Sequence, residues 1–319
     1  MASTTVKNPD GQAAVSPDML LPNVVIAGAP KSGTSSVFYW LQQHPQVLGS
    51  VKKETQFLMD RDSSTFRPAL NYHDHGLAAY ARHFEAEQGE PRPAIVLEAT
   101  PGYLYQETAL RVFARELTQT RLVFILREPA RRLLSAYQYF SQNRRDLDRR
   151  LSFATFLEKV QAGDPELIRH EYLRDAIQHG AYINYLRRWA EACGRERMLV
   201  YVFDDLQRDP RAFMQRLSVD LGIDPGFFDE SFRFVKENYS YKVRWQALHS
   251  GVVRLRHLVP KGAFRKKLKS LYHRLNTDKG KSAALVQEEN VALAAMKTRY
   301  REANEALARE FQLDLRAWE

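Results

Sequence analysis

The run Val24-Val25-Ile26-Ala27-Gly28-Ala29-Pro30-Lys31-Ser32-Gly33-Thr34-Ser35-Ser36 constrains this chain more than any other stretch. It has the grammar of a buried strand, a tight loop and a helix start. In that arrangement the first backbone N–H groups of the helix point at a bound anion and the helix dipole adds favourable potential. Gly28 and Gly33 let the backbone turn and approach a ligand closely. The hydroxyls of Ser32, Thr34, Ser35 and Ser36 supply further donors. A nucleoside-triphosphate loop has its lysine directly after the last glycine, followed by Ser or Thr for magnesium. Here Thr34 follows Gly33 and the lysine is Lys31, inside the loop. The pattern predicts a phosphate-like ligand without predicting a kinase or ATPase, and it lets Lys31 lie against a leaving-group oxygen.

Short apolar runs recur along the chain at Val24 to Ala27, Ile95 to Leu97, Leu122 to Leu126 and Met198 to Phe203, with helical patterns between them. Near-continuous apolar strands are buried on both faces, which predicts an α/β fold with a parallel sheet flanked by helices on both faces. Start and stop signals place helices at Thr34 to His44, from Pro129 to about Asn143, and from the Ser152 cap to about Gln161. Others run from Ala181 to Cys193, from the Asp209-Pro210 pair to Gly222, and over roughly 283 to 310, where Leu293, Met296, Tyr300, Leu307 and Phe311 share one face. Residues 1–21 lack periodicity and read as a flexible leader, leaving 22–319 as a single domain.

Charge is unevenly distributed. The 47 Lys and Arg outnumber the 38 Asp and Glu, for a net charge of +9. Thirteen of the basic residues lie between Lys236 and Lys281, against only Glu237 and Asp278. The positive field is therefore concentrated in one segment, and 245–278 reads as a basic helical insertion or lid for an anionic partner. No apolar run approaches the roughly 20 residues that span a bilayer, so no membrane span is expected. The single cysteine, Cys193, rules out an internal disulfide and fits a cytoplasmic setting.

A second anion-binding pattern follows the Leu122 to Leu126 run: Arg127-Glu128-Pro129-Ala130-Arg131-Arg132-Leu133-Leu134-Ser135. Arg127 stands at the carboxyl end of a strand, where open α/β sheets bind ligands, and Ser135 falls two turns into the next helix. A guanidinium is a permanently charged, forked donor suited to phosphate.

Together these residues resemble the sulfotransferases that use 3′-phosphoadenosine 5′-phosphosulfate (PAPS), with the look of the heparan sulfate N- and 3-O-sulfotransferase branch. The resemblance implies that Pro30 to Ser36 hold the 5′-phosphosulfate, with Lys31 catalytic, and that Arg127 and Ser135 hold the 3′-phosphate. Glu54-Thr55-Gln56-Phe57 is similar to the family segment whose Glu is the base, and Asn71-Tyr72-His73 and Gly76 to the stretch after it. Leu97 to Tyr103 resembles a cleft segment, so Tyr72, His73, Glu98 and Tyr103 become candidate acceptor-binding residues. Gly180-x-Tyr182 and Lys279-Gly280-Lys281 complete the likeness, implying cofactor contacts from Tyr182 and from the 279–281 loop. Two departures stand out: Ala99 occupies the place of a family lysine, and the cysteine pair of the Golgi enzymes is missing. A bacterial or cytoplasmic relative is the expectation that follows.

The resemblance implies in-line sulfuryl transfer from PAPS to a hydroxyl or amine of a carbohydrate or glycoconjugate acceptor, possessing an anionic character that suits the basic chain. Glu54 would take the acceptor proton, Lys31 would stabilise the leaving phosphate, and no metal is required. Sulfonation of a small hydroxylated metabolite or lipid is the alternative, with Tyr72, Tyr103 and Tyr105 suited to either a sugar or an apolar ring. A nonenzymatic nucleic-acid binder using residues 236–281 is the reading from another class, and the pairing of Arg127 and Ser135 with the loop argues against it.

Overall fold

The computed structural model describes residues 16, 19–85, 92–144, 146–148, 150–168, 170–235 and 283–319. Strands β1 (Val24–Gly28), β2 (Val47–Gly49), β3 (Ile95–Glu98), β4 (Arg121–Leu126) and β5 (Met198–Val202) form one parallel sheet in the order β2-β3-β1-β4-β5. Val24 is paired with Leu97 on one side and Arg121 on the other. The sequence predicted four of these strands. The fifth, β2, is only three residues long and follows Pro45 so closely that no run or alternation announces it.

Side chains alternate across the sheet, so each strand feeds two cores. Val25, Ala27, Val96, Leu122, Phe124 and Leu126 pack with the helices α2 (Glu107–Arg115) and α5 (Tyr182–Cys193). Val24, Ile26, Ile95, Leu97, Val123 and Ile125 pack on the other face with α1 (Thr34–Leu41), α6 (Phe203–Arg208) and α7 (Pro210–Leu221). This double burial explains why the strands read as continuous apolar runs. Leu20 and Leu21, within the predicted leader, also pack against the first core.

A third cluster lies among helices alone, where α3 (Pro129–Tyr139) and α4 (Phe153–Ala162) meet the long α8 (Ala283–Phe311) through Leu133, Tyr137, Phe156, Met296 and Tyr300. The caps are those the sequence signals. Ser152 Oγ accepts from Thr155 N–H, and Asp209 accepts from Ala212 N–H with Pro210 at the first helical position. α3 continues through residues 140–144 as a wider π turn, so helical structure reaches the predicted end. The basic run 236–281, including the 245–278 insertion, lies outside the described residues.

The sheet order has one functional consequence. The chain leaves β1 toward β2 and leaves the neighbouring β4 toward β5, so the two loops diverge. A crevice opens between them at the carboxyl ends of the strands, where doubly wound sheets bind ligands.

Candidate active site

The loop after β1 fills one side of that crevice. Ala29 N–H donates to Ile125 O at 2.9 Å, tying the loop to β4. Lys31 and Gly33 both have left-handed backbone conformations, with φ of 72° and 80°. Only glycine fits at 33, because a Cβ there would come within 2.7 Å of the Phe203 ring and 2.8 Å of Leu206. No side chain caps α1, leaving the amide donors of its first turn for a ligand.

On the other side, the Arg127 guanidinium donates to Lys31 O at 3.2 Å and lies 5.1 Å from the Phe203 ring centre. Its own carbonyl accepts from the Tyr182 hydroxyl at 2.9 Å, so Tyr182 fixes Arg127 from behind. Between the two sides is a cavity of about 560 Å³ whose walls include Lys31, Ser35, Ser36, Glu54, Arg127 and Ser135. Pro30, Gly33 and Thr34 also line it. The two sequence motifs, nearly a hundred residues apart, thus meet in one cleft.

The electrostatics of the cleft are dominated by two cations. The Lys31 ammonium sits 4.1 Å above the Tyr139 ring, and its pKa is lowered to about 8, chiefly by burial and next by the adjacent Arg127 charge. Burial likewise lowers the pKa of Arg127. Neither cation has a carboxylate in an ion pair among the described residues. Ser32 is completely buried, and its Oγ has no hydrogen-bond partner among the described residues. Two desolvated cations, an orphan hydroxyl and an uncapped helix start fit an anionic group.

Glu54 opens into this cleft, with its side chain 45 % exposed. Lys53 Nζ donates to Glu54 Oε1 at 2.9 Å and lies 3.5 Å from Thr34 Oγ1, while its side chain is only 8 % exposed.

Four residues expected to bind the acceptor do not line this cleft. Tyr72 reaches away to Glu116, and the His73 ring nitrogen Nε2 lies 3.2 Å from both Met59 O and Thr108 Oγ1. Glu98 and Tyr103 are fully buried beneath the cleft, where they hold the chain that follows Glu54. Glu98 accepts from the backbone and hydroxyl of Thr55 and Thr100, and Tyr103 OH accepts from Phe57 N–H at 3.1 Å and Leu58 N–H at 3.3 Å. Tyr105 stacks on His179 at 3.7 Å between ring centres. Local sequence likeness could not separate residues that line the cleft from residues that support it. Lys279, Gly280 and Lys281 lie outside the described residues.

Sequence reasoning missed several residues that form the walls: Tyr139 under Lys31, Phe203 beside Arg127, and Tyr172 and Arg132 across the cleft. Tyr139 could have been found, since it lies one turn beyond Ser135 on the same helix. Phe203 and Tyr172 carry no local signal.

Comparison with known proteins gives the family. A family model described as the sulfotransferase domain matches residues 21–288. The chain belongs to the sulfotransferase family. A membrane-associated sulfotransferase kil1 of Dictyostelium discoideum is 34% identical over 125 residues, which is 39% of this chain and 24% of that protein. The human heparan sulfate glucosamine 3-O-sulfotransferase 3A1 is 29% identical over 240 residues, covering 73% of this chain and 53% of the relative. The mouse bifunctional heparan sulfate N-deacetylase/N-sulfotransferase 4 is 23% identical over 220 residues, 67% of this chain and 24% of the relative. The chain thus spans about a quarter to a half of the length of these relatives. The crystal structure of a sulfotransferase from Alicyclobacillus acidocaldarius shares the fold, with a TM-score of 0.63 at 22% identity over 94% of this chain and 99% of that one. Among the described residues no helix is long and apolar enough to cross a membrane.

Proposed function

We propose that the sulfotransferase transfers a sulfuryl group from PAPS to a hydroxyl or amine of a carbohydrate or glycoconjugate acceptor. The observation that carries this reading is the pair of half-buried cations, Lys31 and Arg127, which have no carboxylate ion-pair partner among the described residues and face one cleft with an open carboxylate, Glu54, on its wall. PAPS supplies the sulfuryl group and a phosphate leaving group when bound. Pro30 to Ser36 bind its 5′ side through loop amides and hydroxyls; Arg127 and Ser135 bind its 3′-phosphate, with Tyr182 holding Arg127 in place. Lys31 holds positive charge where negative charge builds on the leaving oxygen, and Glu54 accepts the acceptor's proton. Such transfer gives a protein little covalent work, so alignment and charge are what it must provide. The carbohydrate acceptor is supported by the heparan sulfate relatives and by the aromatic residues Tyr139, Phe140 and Tyr172 along the cleft.

A ligand that binds the native state raises its melting temperature by mass action. Adenosine 3′,5′-bisphosphate (PAP) is expected to raise it well above the shift given by ATP, and Arg127→Ala should weaken PAP by about 2–5 kcal/mol. Equal shifts from ATP and PAP would remove the 3′-phosphate assignment. Incubation with PAPS carrying radiolabelled sulfate and separate pools of neutral, amino and uronic-acid oligosaccharides, small phenols and long-chain alcohols identifies the acceptor. Label confined to the phenol or alcohol pools would replace the carbohydrate reading.

A further inference from the structure

Lys53 stands outside the motifs that marked the site, yet it touches both halves of the chemistry. We propose that Lys53 is a positioning residue that braces Glu54 against the donor-binding loop, through Glu54 Oε1 on one side and Thr34 Oγ1 on the other. The inference rests on the functional reading above.

Its backbone is held first. Ser50 N–H donates to Leu97 O, Ser50 Oγ donates to Lys52 O at 2.8 Å, and Ala99 N–H donates to Lys53 O at 3.2 Å. Lys53 is thereby fixed between the end of β2 and the end of β3. From that anchor its side chain runs under the cleft and is almost entirely buried, with Nζ 2.9 Å from Glu54 Oε1 and 3.5 Å from Thr34 Oγ1. Thr34 is the first residue of α1 and itself lines the cleft.

An ordinary surface ion pair has both partners in water and contributes about 0–1 kcal/mol. This pair is asymmetric, since the ammonium is buried and the carboxylate is open to the cleft. A buried ammonium must be compensated, and Glu54 is the carboxylate that does it. One carboxylate oxygen is thereby occupied and the other left for a proton. Glu54 is carried on a loop, and a loop-borne base drifts unless a second contact fixes it; misplacement by about 1 Å costs on the order of 10²-fold in rate. The long Thr34 contact supplies that second point, because it refers the base to the loop that grips the donor. Lys53 also lies close enough to Lys31 to help lower its proton affinity, as expected of two cations serving one anion site.

The test is a double-mutant cycle with Glu54→Gln, read as kcat, KM and PAP affinity, using the oligosaccharide that the labelled-donor screen selects. Lys53→Met should lower kcat about 10- to 100-fold with PAP affinity changed less than threefold, and Lys53→Arg should restore part of the loss. In the Glu54→Gln background the same Lys53→Met change should cost less than threefold. Full turnover in Lys53→Met overturns the proposal, as does an equal loss in both backgrounds, which would place Lys53 on the donor or the fold. Lys53→Gln, closer in polarity, replaces Lys53→Met in the cycle if the latter does not fold by its melting transition. If the wild-type protein neither binds PAP nor transfers label, the functional reading fails and takes this role with it; an active wild type with an additive cycle removes Lys53 alone.

Discussion

Lys31 works in a backbone conformation that costs a residue with a side chain about 1–3 kcal/mol, at a φ of 72°. The strain delivers its ammonium into the crevice over Tyr139 instead of out to solvent, beside Arg127. Burial first and Arg127 second lower its pKa to about 8, so without a bound anion Lys31 gives up its proton about two units below an ordinary lysine. A bound phosphate reverses that balance, because opposite charge favours the protonated form. PAP binding above about pH 8 should therefore take up a proton, and affinity should fall by up to tenfold per pH unit until the bound-state pKa is reached. Calorimetry in buffers of different ionisation enthalpy at pH 8.5 measures the uptake. Lys31→Arg keeps its charge throughout and should flatten the dependence. A wild-type affinity that is level from pH 7 to 9.5 would show that Lys31 does not meet the phosphate.

At the scale of elements, the Gly180-x-Tyr182 pattern shows how a sequence can mark a place without disclosing its role. Tyr182 holds the Arg127 carbonyl from the start of α5. Gly180 makes room for the Tyr300 ring of α8, whose hydroxyl donates to Ile177 O at 2.6 Å. A Cβ at 180 would stand 2.5 Å from that ring, so Gly180→Ala must displace the Tyr300 ring. Overpacking of this kind costs about 1–3 kcal/mol, expected as a lower urea midpoint with PAP affinity nearly kept. An unchanged midpoint would mean that Tyr300 repacks freely. The same distinction explains what the sequence could disclose. Strand cores and capped helices were legible because burial on two faces and local capping chemistry write themselves into adjacent residues, as at Leu122 to Leu126 and Ser152. Loop and strand-end groups such as Lys31, Glu54 and Arg127 were legible because their residue types are chemically demanding. The place of Glu98 and Tyr103 was not legible, because a residue close in sequence to a cleft can either line it or hold it up, and β2, Phe203 and Lys53 were invisible because long-range packing alone gives them meaning.

The fold as a whole rests partly on one buried carboxyl. Glu98 ends β3 and, through Thr55 and Thr100, welds the segment after Glu54 to the sheet. Burial raises its pKa from 4.5 to about 7, and the hydrogen bonds from Thr100 and Thr55 hold back part of that rise. Between those two values the folded protein keeps a proton that the unfolded chain has released. The sign is therefore opposite to that of a paired surface acid: this contribution to stability is complete below about pH 4.5 and is lost as pH rises through about 7. A shift of that size corresponds to on the order of 3 kcal/mol. Other groups add their own slopes to the pH profile of the wild type, and Glu98→Gln isolates this one by fixing the side chain neutral. Urea unfolding at pH 5 and pH 8 should show the wild type losing stability relative to Glu98→Gln by up to that amount, with most of the change falling between pH 5 and 7. Parallel curves for the two proteins would mean that Glu98 is ionised in the fold throughout, with the four donors of Thr55 and Thr100 outweighing its desolvation.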